Sequence, residues 1–109
     1  MTDIEQLIDK LIQFRDARDW KQFHNPKDLA LAINVEAGEL LELFLWKSPE
    51  EANKEKIKEE LADVFAFAFL LAEKYGFDVS QIVMDKIKAN SEKYPVEKAK
   101  GTAKKYNEI

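Results

Sequence analysis

Two stretches of the sequence place acidic residues three positions apart inside segments that are otherwise strongly apolar. The pairs are Glu36 and Glu39 within residues 32–46, and Glu60 and Asp63 within residues 59–71. Residues three apart lie on one face of an α-helix, so each stretch predicts a helix that directs two carboxylates to the same side. Such a helix must bury its apolar side chains and also accommodate the acids beside them. This requirement constrains the fold more than any other feature of the chain.

The two acidic pairs predict a site for a hard divalent cation. Two carboxylates about 4 Å apart repel each other by roughly 4 kcal/mol at an effective dielectric constant of about 20. Mg²⁺ removes this cost because it prefers oxygen ligands and commonly binds substrate phosphates as well, and Mn²⁺ is the expected substitute. The alternative is that glutamates, which favour helices, fall three apart by chance, and spacing alone leaves both interpretations open. For the acidic residues whose pattern is typical of a solvent-exposed helix face, chance is the better explanation of the spacing. These residues are Glu50, Glu51, Glu55, Glu59 and Asp85.

Composition argues against several other classes of function. With 109 residues and a net charge of -4, the chain is predicted to form one domain over residues 1–109. A nucleic-acid polymer is not an expected partner, because proteins that bind one are usually basic. The chain contains no cysteine, which excludes thiolate metal sites and disulfides and suits a cytoplasmic location. The longest apolar run, Val64–Ala72, is about half of what a membrane span requires, so no membrane partner is expected.

Capping residues and apolar periodicity divide the chain into four predicted helices. They extend over Thr2–Arg18, Asn25–Trp46, Ser48–Tyr75 with an interruption near Asn53, and Asp78–Tyr94. Short connections favour an antiparallel four-helix bundle, so the predicted fold class is all-α. Gly38 lies in the middle of the second helix, where it suggests close approach of another backbone or a ligand. Residues 95–109 are rich in lysine and lack a clear apolar stripe, so they form either a strap over a neighbouring subunit or a flexible end.

The third predicted helix carries Phe65, Phe67 and Phe69 in addition to its main apolar stripe. A helix that is apolar on nearly every side is normally buried on nearly every side. A chain of 109 residues can hardly cover such a helix alone. The sequence therefore predicts assembly into a homodimer or a homotetramer.

Aromatic residues near the second helix are candidates for binding a flat ligand. His24 is the only histidine, which excludes His-rich zinc sites and a di-iron bundle, and its default interpretation is a hydrogen-bonded loop residue. Trp20, Phe23 and Trp46 are more often core residues than ligand contacts. The two former precede the second helix, however, and Trp46 ends it, where a base could stack.

The fourth helix offers basic and polar side chains on one face. Lys86, Asn90 and Lys93 follow a spacing of four and three residues, and this face ends near Tyr94. Ordinary solvent exposure explains the pattern, and so does contact with phosphate by lysine point charges. The spacing leaves both interpretations open.

Four blocks of sequence, taken in order, resemble the MazG-like all-α nucleoside triphosphate pyrophosphohydrolases, and most closely their dCTP pyrophosphatase branch. The blocks are Arg18–Pro26 (RDWKQFHNP), Glu36–Trp46 (EAGELLELFLW), Glu59–Val64 (EELADV) and Lys86–Pro95 (KIKANSEKYP). The resemblance covers nearly the whole chain, from the first helix to the tail at Lys104–Tyr106. The acidic motif alone is loose, whereas the ordered set of four blocks is specific.

The resemblance implies hydrolysis of a (deoxy)nucleoside triphosphate between its α and β phosphates, which yields a nucleoside monophosphate and pyrophosphate. It implies dCTP or a modified cytosine nucleotide as substrate, Mg²⁺ as cofactor, and dimers or tetramers of helical bundles. The carried-over residues are Glu36, Glu39, Glu60 and Asp63 as metal ligands, Trp20, His24, Trp46 and Phe67 around the nucleoside, and Lys86, Asn90, Lys93 and Tyr94 at phosphate or sugar. Glu36 and Glu39 are the expected catalytic residues, with Glu39 the first choice to accept a proton from the attacking water.

Two departures from the family pattern limit the resemblance. Val35 precedes Glu36, where the longer family motif often has a second acid, and Phe67 stands where the dCTP branch often has tyrosine. Metal binding survives both changes, but they leave the base preference open. The alternatives are a broad-specificity pyrophosphohydrolase and a non-catalytic helical module that binds nucleotide or metal.

Overall fold

A computed structural model describes all residues from 1 to 109. It contains five α-helices, which are α1 (Asp3–Ala17), α2 (Pro26–Glu42), α3 (Lys54–Lys74), α4 (Val79–Lys93) and the short α5 (Val96–Ala99). Three single 3₁₀ turns lie at Lys21–Phe23, Pro49–Glu51 and Tyr106–Glu108. The prediction of an all-α fold is confirmed, with its four principal helices in the expected order. None of the helices combines the length and apolar character that crossing a membrane would require.

The starts of the helices are set by the capping residues that the sequence indicated. Thr2 Oγ1 accepts a hydrogen bond from the Glu5 amide at 3.1 Å, and the Glu5 carboxylate accepts one from the Thr2 amide at 3.2 Å. These two bonds form the capping box at the start of α1. Asn25 caps α2 with Pro26 as its first residue, and Asp78 caps α4 through the Gln81 amide at 2.9 Å. Local side-chain hydrogen bonds therefore fix the positions at which these three helices begin.

The end of α2 differs from the prediction, because the helix stops at Glu42 and not near Trp46. The backbone continues through bonds between residues three apart, for example from the Phe44 amide to the Leu41 carbonyl at 3.0 Å. The segment ends at Trp46, whose φ of 59° is unusual for a residue with a Cβ atom. The apolar pattern continues past the point where α-helical hydrogen bonding stops, so periodicity alone overestimated the length of α2.

The start of α3 also differs from the prediction. Ser48 and Glu51 form the expected hydrogen bonds, with Ser48 Oγ donating to Glu51 Oε1 at 2.9 Å, but they head a separate 3₁₀ turn. Ala52 is extended, with ψ of 142°, and Asn53 then caps α3 through the amides of the next turn. The interruption expected near Asn53 is thus real, and it separates the two elements.

The chain divides into two compact units, residues 1–77 and residues 78–109. In the first unit, α3 packs against both α1 and α2, and the buried core is small. Its buried apolar residues are Leu29, Ala52, Leu70 and Ala72. Many large apolar side chains stay exposed, including Phe65 with 52% of its surface accessible. The prediction of a single domain over residues 1–109 and the prediction of an oligomer both remain predictions.

The second unit contains α4, α5 and the C-terminal turn. Tyr106 lies edge-on to Tyr94 with 6.2 Å between ring centroids, and the Lys93 ammonium lies 5.1 Å from the Tyr106 ring. These contacts give the last residues a defined position against the end of α4, so the tail contains ordered elements. Its role as a strap over a neighbouring subunit remains a prediction.

Two glycines are expected to respond in opposite directions to replacement by alanine. Gly76 follows α3 with φ of 69°, so Gly76→Ala should destabilise the protein by about 1 kcal/mol through backbone strain. Apart from its chain neighbours and the backbone of its own helix, no atom lies within 4 Å of a Cβ built on Gly38, so the close approach expected there is absent within the chain. Gly38→Ala should therefore stabilise α2 by about 1 kcal/mol through helix propensity. Urea unfolding of both variants measures the two effects, and a destabilised Gly38→Ala would indicate a neighbour outside this chain.

Candidate metal centre and adjoining cavity

Three of the four predicted metal-ligating acids converge where α2 packs against α3. Glu36 comes from α2, and Glu60 and Asp63 come from α3; one carboxylate oxygen from each lies within 4.8 Å of the other two. We call these residues the three-carboxylate cluster. Glu36 and Glu60 are half-buried, and Asp63 is exposed. The packing of α2 on α3 therefore brings Glu36 of the first acidic pair beside both members of the second pair, and it leaves Glu39 outside the cluster.

Two oxygens of the three-carboxylate cluster lack partners within the protein. Glu36 Oε2 and Glu60 Oε2 are both buried and make no hydrogen bond. A buried charged acceptor that is left unsatisfied is costly, and proteins normally pair such groups or use them to coordinate a metal. A donor set made only of carboxylate oxygens suits a hard divalent cation such as Mg²⁺ better than a softer transition metal. The residues present therefore fit the cation that the sequence predicted.

Crowding of the acids changes the protonation of Glu36. The neighbouring Glu60 carboxylate, with which Glu36 can share a proton, is the largest influence that raises the pKa of Glu36 to about 7. Burial of the Glu36 carboxyl raises its pKa further, as do the nearby Glu39 carboxylate and the negative charge of Asp63. In the metal-free protein, Glu36 thus holds a proton near neutral pH that a bound cation would displace.

Titration of Glu36 is expected to lower the stability of the metal-free protein as the pH rises from 4.5 to about 7. Glu36 has a pKa of about 7 in the folded chain against 4.5 for the free side chain, so the unfolded chain loses this proton first. The stabilisation is complete below pH 4.5 and is lost as the pH rises through 7. In a chelator, the melting temperature of the wild type should therefore fall relative to that of Glu36→Gln over this pH range. Equal slopes for the two proteins would contradict the raised pKa.

Comparing the wild type with Glu36→Gln also removes the contribution of His24 to the pH dependence of stability. This contribution has the opposite sign to that of Glu36. Burial of the imidazole lowers the pKa of His24, and the positive charges of Arg15 and Lys74 lower it further. The unfolded chain therefore binds more protons at His24, and this group makes the protein more stable as the pH rises. Because His24 is present in both proteins, the difference between their slopes reports Glu36.

A cavity of about 430 Å³ adjoins the three-carboxylate cluster, and Asp63 belongs to its lining. Three of the predicted substrate-binding residues line it, which are Trp20, His24 and Phe67. The His24 ring lies edge-on to Phe67, with 6.3 Å between centroids and 75° between planes. We call this space the aromatic cavity. The size of the cavity and its aromatic lining suit a planar ring. Asp63 belongs both to this lining and to the three-carboxylate cluster, so the two features adjoin.

Sequence reasoning missed two functional candidates in the lining of the aromatic cavity. Phe14 packs edge-on against Trp20 with 5.8 Å between centroids, and Arg15 is only 2% exposed. Arg15 donates from Nε to Asp16 at 2.9 Å and from Nη1 to Glu73 at 3.5 Å, which ties α1 to α3. The sequence pattern continues the apolar stripe of the first helix to either Phe14 or Arg15 and indicates no contact with a ligand. The available signal was the charged Arg15 at the end of an apolar stripe, because a charged residue in such a position needs a partner.

A second cavity of about 530 Å³ also has Asp63 in its lining. Its lining is apolar apart from that carboxylate and consists of Leu7, Leu11, Ala62, Asp63, Phe65, Ala66 and Phe69. No second polar group is present to orient a reacting ligand. This cavity therefore adds apolar surface to the exposed face of α3 and does not offer a separate site for chemistry.

The remaining predicted site residues lie outside these contacts. Glu39 is exposed and is not part of the three-carboxylate cluster, although its carboxylate influences Glu36. Trp46 is 93% exposed and does not line the aromatic cavity. Lys86, Asn90 and Lys93 lie on α4, and Tyr94 is half-buried at its end. All of these assignments remain predictions.

Comparisons with known proteins agree on one family. The model of the MazG-like family matches residues 31–109. dCTP pyrophosphatase 1 of Mus musculus is 41% identical over 105 residues, which cover 89% of this chain and 62% of that protein. The Homo sapiens protein of the same name is 36% identical over the same shares. This chain thus spans 62% of the length of these curated relatives.

A solved structure has the same fold. The crystal structure of a pyrophosphatase from Archaeoglobus fulgidus superimposes with a TM-score of 0.81 at 36% sequence identity. The match covers 87% of this chain and 94% of that one. The similarity therefore extends over nearly the entire length of a solved homologue.

Proposed function

The chain belongs to the MazG-like family, and on that premise we propose that it is a metal-dependent nucleoside triphosphate pyrophosphohydrolase. The reaction would cleave the bond between the α and β phosphates and release a nucleoside monophosphate and pyrophosphate. One observation carries the proposal, namely the convergence of Glu36, Glu60 and Asp63 within 4.8 Å beside a cavity lined by aromatic rings. The acids suit a cation that binds phosphates, and the rings suit a base.

The proposed hydrolysis requires the protein to position the substrate and a water molecule and to neutralise the charge of the phosphates. Glu36, Glu60 and Asp63 would hold Mg²⁺, with Mn²⁺ as a substitute, and the bound cation would neutralise phosphate charge and polarise the phosphorus. Hydrolysis needs no covalent nucleophile from the protein, because a water molecule attacks a phosphorus atom in line with the leaving phosphate oxygen. The side chains must orient this water and remove its proton.

Glu39 is the residue we propose as proton acceptor. Its carboxylate lies outside the three converging oxygens, so it is less committed to the cation, yet it is close enough to raise the pKa of Glu36. A general base must stay ionised and reach the water directly or through one intermediate water. The new P–O bond forms from the water oxygen, the bridging P–O bond breaks, and the released proton passes to Glu39. Glu36 would combine metal binding with an effect on this proton transfer, because the charges of Glu36 and Glu39 influence each other.

The aromatic cavity supports a nucleoside as the rest of the substrate. Trp20, His24 and Phe67 would contact the base. The family resemblance alone assigns Lys86, Asn90, Lys93 and Tyr94 to phosphate or sugar, and these roles remain predictions. Trp46 stays in the proposed nucleoside set on the basis of sequence alone. We propose dCTP or a modified cytosine deoxynucleotide, because the similar mouse and human proteins carry the name dCTP pyrophosphatase 1.

A broader substrate range is the second candidate, and the lining of the aromatic cavity favours it. The residues that line the cavity include few polar side chains, and an apolar lining discriminates weakly between bases of similar shape. The similar protein from Archaeoglobus fulgidus is named only as a pyrophosphatase. The two candidates share one reaction and differ in the base.

We also propose that the chain acts as a homodimer or homotetramer in the cytoplasm. The large apolar side chains exposed on α3 and α1 support this assembly, since monomers seldom expose extended apolar surface. The prediction is a mass of two or four chains at micromolar concentration in multi-angle light scattering. A monomer at that concentration would contradict the assembly and leave the proposed reaction untouched.

The test of the function is a product analysis with purified protein. Common and modified nucleoside triphosphates are incubated with Mg²⁺ or Mn²⁺, and the products are separated by ion-exchange chromatography. Monophosphate and pyrophosphate from cytosine deoxynucleotides alone would support the narrow candidate, and the same products from many bases would support the broad one. Diphosphate and orthophosphate would mean that a different bond is cleaved. Absence of turnover with either cation would favour a non-catalytic module that binds nucleotide or metal.

A further inference from the structure

One wall of the aromatic cavity is formed by two aromatic side chains against which the Arg18 guanidinium packs. Phe14 and Trp20 pack edge to face at 5.8 Å, and both line the cavity. The Arg18 guanidinium carbon lies 3.7 Å from the centre of the Phe14 ring and 6.0 Å from that of Trp20. Arg18 Nη1 also donates a hydrogen bond to the Phe14 carbonyl oxygen at 2.9 Å. The guanidinium is therefore held in place over the wall by two kinds of contact.

The backbone that carries Trp20 is fixed independently of Arg18 side-chain contacts. The Trp20 amide donates to the Arg15 carbonyl at 3.1 Å, and the Phe23 amide donates to the Trp20 carbonyl at 2.9 Å. Gln22 Nε2 donates to the Asp19 carbonyl at 3.0 Å. The main chain thus has its own hydrogen bonds, and only the position of the Trp20 ring is left to side-chain packing.

The rings of this wall are not held by burial. Trp20 is 43% exposed and Phe14 is 50% exposed, so neither ring is enclosed by the core. An exposed aromatic side chain changes rotamer readily unless a neighbour restricts it. A planar guanidinium that stacks on one ring and approaches the second supplies this restriction.

We propose that Arg18 is a positioning residue of the aromatic cavity, which holds the Phe14–Trp20 pair in place and thereby strengthens binding of a planar base. The inference deepens the proposed function and rests on it for the identity of the ligand. Arg18 does not line the cavity, so it acts through Phe14 and Trp20 and not through contact with the base. Its effect should fall on the affinity for the nucleoside part and leave the affinity for phosphate unchanged.

The experiment measures equilibrium binding with the full chain, so it does not depend on turnover. Isothermal titration with Mg²⁺ present is used to compare the binding of dCMP and of inorganic pyrophosphate to the wild type, to Arg18→Met and to the control Lys10→Met. The control removes an exposed positive charge from α1. Arg18→Met should weaken dCMP binding by about three- to tenfold, the usual worth of a cation–aromatic contact, with pyrophosphate binding unchanged. Equal weakening for both ligands would mean that Arg18 contacts phosphate, and unchanged dCMP binding would remove its role; either result overturns the proposal.

A double-mutant cycle tests whether Arg18 acts through Phe14. Phe14→Leu removes the ring on which the guanidinium stacks, so Arg18→Met should weaken dCMP binding no further in that background. If the effects of the two substitutions on dCMP binding were fully additive, Arg18 would not act through Phe14 and the proposal would be overturned. Trp20 fluorescence in a Trp46→Phe background adds a structural readout, because Arg18→Met should lower the anisotropy of the one remaining tryptophan. Unchanged anisotropy would mean that Arg18 does not restrain the ring, and it would count against the proposal.

These measurements separate failure of the inference from failure of the proposed function. If the wild type binds dCMP but hydrolyses no triphosphate, the reaction is wrong and the binding data still decide the role of Arg18. If it hydrolyses triphosphates while Arg18→Met leaves dCMP binding and KM unchanged, the reaction stands and the inference falls. If it binds no nucleotide at all, both are wrong.

Discussion

Replacing Glu36 by glutamine, or Asp63 by asparagine, is expected to abolish nucleotide hydrolysis while the helical circular dichroism stays nearly unchanged. Each substitution removes one of the three oxygens that converge within 4.8 Å, and an amide offers a neutral oxygen in its place. Loss of one preorganised charge-stabilising group commonly costs a factor of about 10² to 10³ in rate, and loss of a metal ligand should cost at least as much. The measurement is the initial rate of monophosphate release at saturating Mg²⁺.

Matched controls for this prediction lie on the same two helices. Glu59→Gln on α3 removes an exposed carboxylate next to Glu60, and Glu42→Gln removes one at the end of α2. Both should keep near-wild-type rates, since neither residue belongs to the three-carboxylate cluster. Glu39→Gln distinguishes the two roles proposed for that residue, because loss of a general base lowers kcat and leaves Mg²⁺ affinity intact. Near-wild-type turnover by Glu36→Gln or Asp63→Asn would remove the metal assignment.

The three-carboxylate cluster could be predicted because helical geometry converts sequence spacing into direction. Glu60 and Asp63 are three apart on α3, and Glu36 occupies an apolar sector of α2. Two helices that pack by their apolar faces bring such acids together with no further information. Glu39 shows the limit of this reasoning. Its spacing predicts the same role for Glu39 as for Glu36, but Glu39 is exposed and lies outside the cluster.

The aromatic cavity could be predicted only in part, because its walls depend on packing between elements distant in the sequence. Trp20 and His24 were indicated by their loop position and by family resemblance, but Arg15 was not singled out. Its position on the apolar stripe of α1 predicts burial, and a buried arginine needs partners that only the tertiary structure reveals, here Glu73 on α3. A contact over 58 positions in the sequence leaves no periodic trace.

The end of α2 could not be predicted for a different reason. The apolar spacing of the second helix continues beyond Glu42 into the segment that ends at Trp46, so the periodic pattern predicts one long helix. The backbone instead changes to bonds between residues three apart, which present side chains at a similar spacing. Hydrophobic periodicity therefore does not distinguish the last α-helical turn from the tighter turns beyond it.

Mg²⁺ is expected to raise the melting temperature of the wild-type protein by roughly 10 °C or more. A ligand that binds only the folded state at about 100 times its Kd stabilises that state by about 2.7 kcal/mol. For a domain of this size each kcal/mol shifts the melting temperature by about 4–8 °C. The carboxylates proposed to bind the cation are Glu36, Glu60 and Asp63, and two of them have a buried oxygen without a hydrogen-bond partner in the metal-free chain.

Glu36→Gln should change the melting temperature in opposite directions with and without the cation. In a chelator, the variant should melt at or above the wild-type temperature, because a neutral amide removes repulsion from Glu60 and can donate a hydrogen bond to it. With Mg²⁺ the order reverses, because the variant lacks one ligand and gains little. Differential scanning fluorimetry of both proteins at pH 8, with NaCl of equal ionic strength as the control for screening, measures this reversal. A rise of equal size in the variant would mean that the cation binds elsewhere on the acidic surface, and a metal-free variant that melts well below wild type would mean that Glu36 stabilises the fold by contacts other than a metal.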